Sequence, residues 1–224
     1  MIPIRDENPT RRAPVVTVSL IVLNAAVFAY QLMQPQDVQR QFVHTFGAIP
    51  LLLTRDFNLL PQLPEHWATV FSSMFMHGGL LHLAGNMLYL WIFGNNVEDH
   101  LGRLRFVGFY LLCGVAAATA HVLSDVASPI PMIGASGAIS GLLGAYVVLY
   151  PRARVVVMFW FLFLLRFVRV PASIVLGLWF VMQLGGIFGD SGGIAWFAHI
   201  GGFLFGLLVM LILGGARRPR PYFV

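Results

Sequence analysis

The sequence predicts an all-α membrane protein with six transmembrane helices, and three observations lead to this fold class. Hydrophobic residues make up 58% of the 224 residues and charged residues only 10%, whereas a soluble domain is about 45–50% apolar and about 25% charged. Several apolar runs approach the roughly 20 residues that a helix needs to cross a bilayer. All fourteen basic residues are arginines, and they stand between these runs. The composition therefore excludes an ordinary soluble domain and intrinsic disorder.

The predicted spans follow one another through short loops, apart from one long segment after the first span. The six spans are residues 14–33, 78–97, 106–123, 134–150, 171–188 and 195–215. The long segment, residues 34–67, is interrupted by prolines, and its apolar patches are too short to cross, so we expect it to associate with the membrane surface. Residues 155–168 are also apolar. We expect them to be interfacial or packed on the bundle, with a seventh crossing as the alternative.

The arginines predict the orientation of the chain. Six crossings put both termini on one side, where twelve of the fourteen arginines then lie, and only Arg40 and Arg55 lie on the other side. Arginine-rich loops are cytoplasmic. We therefore expect a cytoplasmic tail at residues 1–13, a six-helix domain at 14–215 and a cytoplasmic tail at 216–224. A seventh crossing would move the C-terminal arginines outside, so this distribution argues against it.

Four polar residues stand out at membrane depth, where polar groups are costly and therefore functional candidates. His82 and Asn86 are four residues apart on the second span and share a helix face. Ser136 begins the fourth span, and His199 lies early in the sixth. These three spans run in the same direction, from outside to inside. Their early residues therefore lie at similar depth and can meet.

Small residues on two of these spans predict close helix packing. Ser136, Ser140 and Gly144 form a stripe at helical spacing on the fourth span, and Gly202 and Gly206 form a small-residue pair on the face of the sixth span that also carries His199. Small residues at such spacing let membrane helices approach backbone to backbone. This approach would bring Ser136 within hydrogen-bond reach of His199. Taken singly, a serine or a glycine pair in a membrane helix is more often a packing feature, so the coincidence at one depth carries the prediction.

These residue types fit nucleophilic catalysis. A serine becomes a nucleophile when a base takes its proton, and His199 can supply that base for Ser136. Since no carboxylate lies at a matching depth, the sequence predicts a Ser–His dyad in which burial favours the neutral imidazole. His82, Asn86 and the backbone N–H of Ser136 are candidate donors to an oxyanion. The single cysteine, Cys113, excludes an intramolecular disulfide and a cysteine-cage zinc site.

Three segments resemble the rhomboid intramembrane serine proteases. They are residues 67–114, residues 133–146 (IGASGAISGLLGAY) and residues 194–206 (IAWFAHIGGFLFG). The resemblance implies a six-helix rhomboid-like bundle with a membrane-associated first loop. It also implies hydrolysis of a peptide bond in or next to transmembrane segments of membrane-protein substrates, without a metal or cofactor. The arginines stand between apolar runs and form no basic patch on a polar surface, so we expect no nucleic-acid partner. Ser136 then corresponds to the nucleophile, His199 to the base, and His82 and Asn86 to the oxyanion donors.

The chain departs from the family pattern at two positions. Ser140 stands where many members carry an aromatic residue that stacks on the base, and Ala68 follows Trp67 where the first loop often has a Trp–Arg pair. These departures concern the orientation of the base and the anchoring of the loop. We expect a multi-pass protein of a bacterial or archaeal cytoplasmic membrane.

Two other functions are open to such a sequence. The first is a catalytically silent rhomboid-like chaperone or binding protein, which the intact Ser136 and His199 disfavour. The second is a small transporter or proton channel, which should show a repeat between its two halves. We find no internal repeat, and the polar residues cluster near one face of the predicted bundle.

Overall fold

The structure, a computed structural model, describes residues 2–59, 65–161, 164–189 and 193–214. The predicted C-terminal tail, residues 216–224, lies outside the described residues. Within them, three helices are long and apolar enough to cross a membrane: α1 (Val15–Leu32), α7 (Arg103–Ser124) and α10 (Trp196–Gly214). Two shorter apolar helices are α8 (Ser136–Leu149) and α9 (Ala172–Gly186). All five coincide with spans predicted from the sequence.

The second predicted span is a helix of mixed geometry. α5 (Leu80–Tyr89) continues through a π-helical turn, Leu90–Gly94, into α6 (Asn95–Leu101). Gly102 then adopts a left-handed conformation, with φ of 78°, which ends α6 and redirects the chain into α7. Such a φ is unfavourable for residues with a side chain.

The long first loop folds into three short helices: α2 (Gln36–Phe46), α3 (Pro50–Leu59) and α4 (Glu65–Ser72). An isolated β-bridge ties this loop to the segment before α8, because Ala48 and Met132 exchange backbone hydrogen bonds of 3.1 and 2.8 Å. Ala48, Leu53 and Val70 are buried in a small core beside α7. The loop is therefore a packed part of the molecule, and none of the three helices described in it is long enough to cross a bilayer.

A three-stranded antiparallel sheet is the main departure from the sequence prediction. Its strands are β1 (Ile2–Asp6), β2 (Arg154–Phe161) and β3 (Leu164–Pro171), in the order β1-β2-β3. The prediction of an all-α chain is therefore wrong here. Residues 154–161 and 164–171 pair as antiparallel strands, so the alternative of a seventh helical crossing is also wrong. Part of the predicted N-terminal tail, residues 1–13, is an ordered strand.

The physical cause of the sheet lies in a run of β-branched residues. Val155 and Val157 are completely buried, whereas Val156 between them is partly exposed, which is the alternation of a strand. A short apolar run of this kind cannot be distinguished from a buried helix by periodicity alone. The partner strand β1 lies about 150 residues away in sequence, so local patterns do not reveal the pairing.

The bundle is centred on α8, which packs against α7 and α10. Glycines on both helices form the contact between α8 and α10. A Cβ at Gly206 of α10 would collide with the carbonyl oxygen of Gly141 of α8, and a Cβ at Gly202 of α10 would collide with that of Gly137 of α8. A Cβ at Gly144 would also collide with the backbone of α10. The two helices thus approach backbone to backbone. On α8 the contact includes Gly137 and Gly141, which each follow a residue of the predicted stripe, as well as Gly144 of the stripe itself.

A polar network joins the N-terminal strand to the helix ends opposite the start of α8. The Asp6 carboxylate accepts hydrogen bonds from the Tyr146 hydroxyl (2.6 Å) and from Asn96 Nδ2 (2.8 Å). Asn8 Nδ2 donates to Asn96 Oδ1 at 2.7 Å. These bonds connect β1, α6 and the last turn of α8, which places the N-terminus beside the β2–β3 hairpin.

The same end of the molecule holds the start of α1. Glu98 accepts hydrogen bonds from the backbone N–H groups of Val16 (3.0 Å) and Thr17 (2.7 Å) and from the Thr17 hydroxyl (2.7 Å). A carboxylate at this position satisfies N–H groups that have no partner within the helix. Asp99 likewise accepts from the N–H groups of Arg11 and Arg12 at 3.1 Å each. The two carboxylates are thus engaged in fixing the N-terminal segment.

The stability of this network should depend on pH through Asp6. Burial raises the pKa of Asp6 from 3.8 to about 6, although its hydrogen bonds from Tyr146 and Asn96 oppose the shift. The carboxyl holds its proton more tightly in the folded than in the unfolded protein, so folding takes up a proton between about pH 4 and about pH 6. Stability should therefore fall as the pH rises through this window. Asp6→Asn, whose oxygen can still accept both bonds, should remove that loss.

Thermal unfolding in detergent from about pH 4 to about pH 7.5 measures the effect, because the Asp6 contribution is lost only within this range. The midpoint of Asp6→Asn minus that of the natural protein should grow as the pH rises. A difference that stays constant across the range would contradict the assigned role of Asp6.

Candidate active site

Three helices bring the predicted polar residues to one end of the bundle. Ser136 is the first residue of α8, His199 lies in the first turn of α10, and His82 lies in the first turn of α5. Ser136 Oγ is 2.9 Å from His199 Nε2, which is hydrogen-bond distance. The glycine contacts between α8 and α10 account for this approach, since they hold the two helix backbones close together.

The other ring nitrogen of His199 faces a residue that the sequence analysis did not consider. His199 Nδ1 is 2.8 Å from the side-chain oxygen of Gln183 on α9. Gln183 is only 6% exposed, and its Nε2 donates to the Trp179 carbonyl oxygen at 3.0 Å. The sequence does contain evidence for Gln183. It is a single amide within an apolar span and so a polar group at membrane depth, which is the criterion by which Asn86 is a candidate.

Aromatic side chains also contact the His199 ring. The Trp179 ring centre lies 6.0 Å from it at an angle of 38°, and the Trp196 ring lies 6.2 Å away, nearly perpendicular. Ser140, in the position where many rhomboids carry an aromatic residue, instead donates its hydroxyl to the Ser136 carbonyl oxygen at 2.6 Å. The His199 ring is thus contacted from α9 and from the start of α10.

His82 and Asn86 lie beside the serine. Gly134, with φ of 125°, lies against the His82 ring: a Cβ there would be 2.8 Å from His82 Nε2 and 3.6 Å from Ser136 Oγ. Asn86 is 8% exposed, and its Nδ2 has no hydrogen-bond partner among the described residues. Buried donors are nearly always paired, so this amide is available to a group that enters the site.

His77 supports His82 from the loop before α5. Its ring packs edge-on against the His82 ring, with the centres 5.0 Å apart, and its backbone N–H donates to the Gln31 side-chain oxygen at 3.3 Å. His77 is 2% exposed. Burial, together with the neighbouring His82, lowers the pKa of His77 to about 4, so its ring is neutral at physiological pH.

A cavity of about 1110 Å³ contains all four predicted polar residues. Its walls include the starts of α5, α8 and α10, one face of α9, part of α7 and the segment before α8. Leu80, Gly85 and Asn86 line it on the α5 side, and Trp179, Gln183 and Ile187 line it on the α9 side. Within the described ranges, no cluster of three or more His, Cys, Asp or Glu side chains is placed to hold a metal ion. The cavity therefore presents the serine, the two histidines and the unpaired amide of the predicted site to whatever occupies it.

Comparison with known proteins gives the family. The family model of the Rhomboid domain matches residues 64–216, more than half of the chain. The chain belongs to the rhomboid family. With its apolar helices, this membership makes it an integral membrane protein, and it confirms the family to which the sequence motifs pointed.

Rhomboid relatives from three organisms illustrate the similarity. "Rhomboid protease GluP" of Bacillus subtilis (strain 168) is 31% identical over 205 residues, covering 90% of this chain and 35% of that protein. "Presenilin-associated rhomboid-like protein, mitochondrial" of Bos taurus is 29% identical over 188 residues, covering 83% and 46%. "Rhomboid protein 1, mitochondrial" of Saccharomyces cerevisiae is 31% identical over 151 residues, covering 62% and 40%. The chain thus spans between a third and a half of the length of these rhomboids.

Proposed function

We propose that this chain is an intramembrane serine endopeptidase that hydrolyses a peptide bond in or next to a transmembrane segment of a membrane-protein substrate. The observation that carries the proposal is the 2.9 Å separation of Ser136 Oγ and His199 Nε2 in a cavity large enough for a peptide. The similarity to a protein named as a rhomboid protease supports the same chemistry.

In the proposed reaction, Ser136 Oγ attacks the carbonyl carbon of the scissile bond while His199 Nε2 takes the hydroxyl proton. The tetrahedral intermediate collapses when Nε2 gives that proton to the leaving amine, which leaves an acyl ester on Ser136. A water molecule, deprotonated by the same nitrogen, then attacks the ester. Its hydrolysis releases the carboxyl product and returns the proton to Ser136.

The negative oxygen of the tetrahedral intermediate needs donors already in place. We assign this role to Asn86 Nδ2, to the His82 ring and to the backbone N–H of Ser136. The unpaired Asn86 amide supports the assignment, because an incoming oxyanion would satisfy it. The Ser136 N–H lies at the N-terminus of α8, where N–H groups and the helix dipole favour negative charge.

Removing the Asn86 amide should slow cleavage without preventing nucleophilic attack. Loss of one oxyanion donor typically costs about 10²–10³ in turnover, so Asn86→Ala should lower kcat by about that factor. Ser136 would still be activated by His199, and a serine-directed fluorophosphonate should still label the protein in part. Initial rates on a slow transmembrane substrate test this, and a rate equal to that of the natural protein would remove Asn86 from the mechanism.

We further propose that the chain crosses the membrane six times, with both termini cytoplasmic, in a bacterial or archaeal cytoplasmic membrane. Pairing of β1 with β2 supports this topology, because it puts the N-terminus at the same end as the loop between α8 and α9. Reporter fusions at the C-terminus and within residues 34–67 should report opposite sides. Finding both on one side would refute six crossings.

We propose that substrates reach the cavity from the lipid, between α5 and α9. Both helices line the cavity, and both carry strongly exposed apolar side chains. Leu81, which itself lines the cavity, is 89% exposed, and Val181 is 60% exposed. Such surfaces suit contact with acyl chains and with an apolar substrate helix. Transmembrane proteins and the bilayer itself are therefore the proposed partners.

The direct test of the function is labelling with a fluorophosphonate probe, with the natural protein compared to Ser136→Ala in detergent. The natural protein should react, and the variant should not, because the hydroxyl that attacks the probe is missing. Cleavage of a transmembrane reporter substrate should be lost in parallel. Binding of the substrate without labelling or cleavage would instead identify a catalytically silent rhomboid-like binding protein.

A further inference from the structure

Gln183 is a buried amide on an otherwise apolar helix. It is 6% exposed, and its neighbours on α9 include exposed apolar residues such as Val181 and Met182. A buried amide without partners is costly, but both ends of this one are engaged. Nε2 donates to the Trp179 carbonyl oxygen at 3.0 Å, and Oε1 lies 2.8 Å from His199 Nδ1.

The bond to Trp179 determines which way round the amide lies. A backbone carbonyl oxygen can only accept, so the NH₂ group of Gln183 must face it. Rotating the amide by 180° would set two oxygens against each other. Oε1 of Gln183 therefore faces His199 Nδ1, and this assignment follows from the chemistry of the partners.

The orientation of the amide in turn determines where the proton of His199 lies. Oε1 of Gln183 can only accept a hydrogen bond, so His199 Nδ1 must carry the hydrogen. A neutral imidazole with a hydrogen on Nδ1 has its lone pair on Nε2. That lone pair faces Ser136 Oγ at 2.9 Å, which is the arrangement a base needs to accept the serine proton.

We propose that Gln183 is the positioning residue that fixes the tautomer and the ring orientation of His199. The inference rests on the proposed protease function, and it gives the dyad a neutral third partner. In Ser–His–Asp proteases a carboxylate takes this place, and it also stabilises the positive charge that forms on the imidazole. An uncharged amide supplies the orientation without placing a second charge in the membrane interior, where charges are expensive.

Two substitutions at Gln183 separate orientation from packing. Gln183→Leu keeps similar volume but removes the acceptor, so kcat should fall roughly ten- to a hundredfold, while KM changes by less than about twofold because His199 does not bind the substrate. Gln183→Glu keeps an acceptor and should retain most of the turnover. Its carboxylate favours the protonated imidazole, so the acidic limb of the kcat/KM profile should move to higher pH.

Met182→Leu, on the exposed side of α9, is the matched control, and its kcat and KM should equal those of the natural protein.

Nitrogen NMR of ¹⁵N-histidine-labelled protein reads the tautomer without any need for activity. The His199 signals are those that vanish in His199→Ala. They should show a protonated Nδ1 and an unprotonated Nε2 in the natural protein, with the opposite tautomer gaining population in Gln183→Leu. An unprotonated Nδ1 in the natural protein, or unchanged kcat in Gln183→Leu, would overturn the proposal.

Failure of the proposed protease function and failure of the proposed role of Gln183 would give different results. If the natural protein shows no cleavage that depends on Ser136, the protease function fails, and the NMR signals still decide whether Gln183 sets the tautomer. If cleavage depends on Ser136 but Gln183→Leu lowers only the thermal stability, Gln183 is a packing residue. A gain of the opposite His199 tautomer in Gln183→Leu would exclude that outcome, because a purely structural role would not move the proton between the two ring nitrogens.

Discussion

Replacing His199 by alanine should abolish both cleavage of a transmembrane substrate and labelling of Ser136 by a fluorophosphonate. His199 Nε2 lies 2.9 Å from Ser136 Oγ, and the carboxylates of Glu98 and Asp99 are engaged at the other end of the bundle. Without the base, the serine hydroxyl stays protonated and a poor nucleophile. Loss of the histidine in a serine protease costs on the order of 10⁶ in kcat, the largest effect expected here.

His82→Ala is the matched control, because it removes a histidine from the same cavity without removing the base. We expect reduced cleavage, since an oxyanion donor is lost, and we expect labelling of Ser136 to persist. Both variants should keep the thermal unfolding profile of a folded protein. If labelling disappears in His82→Ala and persists in His199→Ala, the roles of the two histidines must be exchanged.

The sequence predicts the helical spans, and it predicts which polar residues lie close together, because both depend on strong physical constraints. A bilayer demands apolar segments of fixed length, and the arginines orient them. Once orientation is known, residues at the start of alternate spans must share a depth. This argument pairs Ser136 with His199, which are 63 residues apart in sequence and whose Oγ and Nε2 atoms are 2.9 Å apart in the structure.

The parts that sequence reasoning missed have no comparable constraint. Gln183 is one amide in an apolar run, and nothing in its neighbours shows that it faces His199. The sheet was missed because valine-rich segments satisfy a buried helix and a buried strand equally well. The sheet also depends on the pairing of β2 with β1. The first residues are polar in composition, which is typical of a tail, so the sequence does not indicate a strand there.

Gly206→Ala should be strongly destabilising, although it adds a single methyl group. The Cβ of the new alanine would collide with the Gly141 carbonyl oxygen and lie 2.7 Å from the Gly141 Cα. Backbone atoms of a packed helix cannot move aside as a flexible side chain can. Overpacking of a tight core costs typically about 1–3 kcal/mol, occasionally more, and we expect the upper end here. Because α8 carries Ser136 and α10 carries His199, forcing the helices apart should also lengthen the 2.9 Å contact and reduce activity.

Gly177→Ala on α9 provides the comparison, because a Cβ at Gly177 would meet no atom within 4 Å. Alanine favours a helix over glycine by up to about 1 kcal/mol, so this variant should be as stable as the natural protein or slightly more stable, with full activity. Thermal unfolding and fluorophosphonate labelling rates of both variants in detergent measure the two effects. A Gly206→Ala protein that unfolds at the same temperature as Gly177→Ala would show that this glycine contact does not set the separation of α8 and α10. A large loss of labelling in Gly206→Ala, with none in Gly177→Ala, would tie the helix separation to the Ser136–His199 distance.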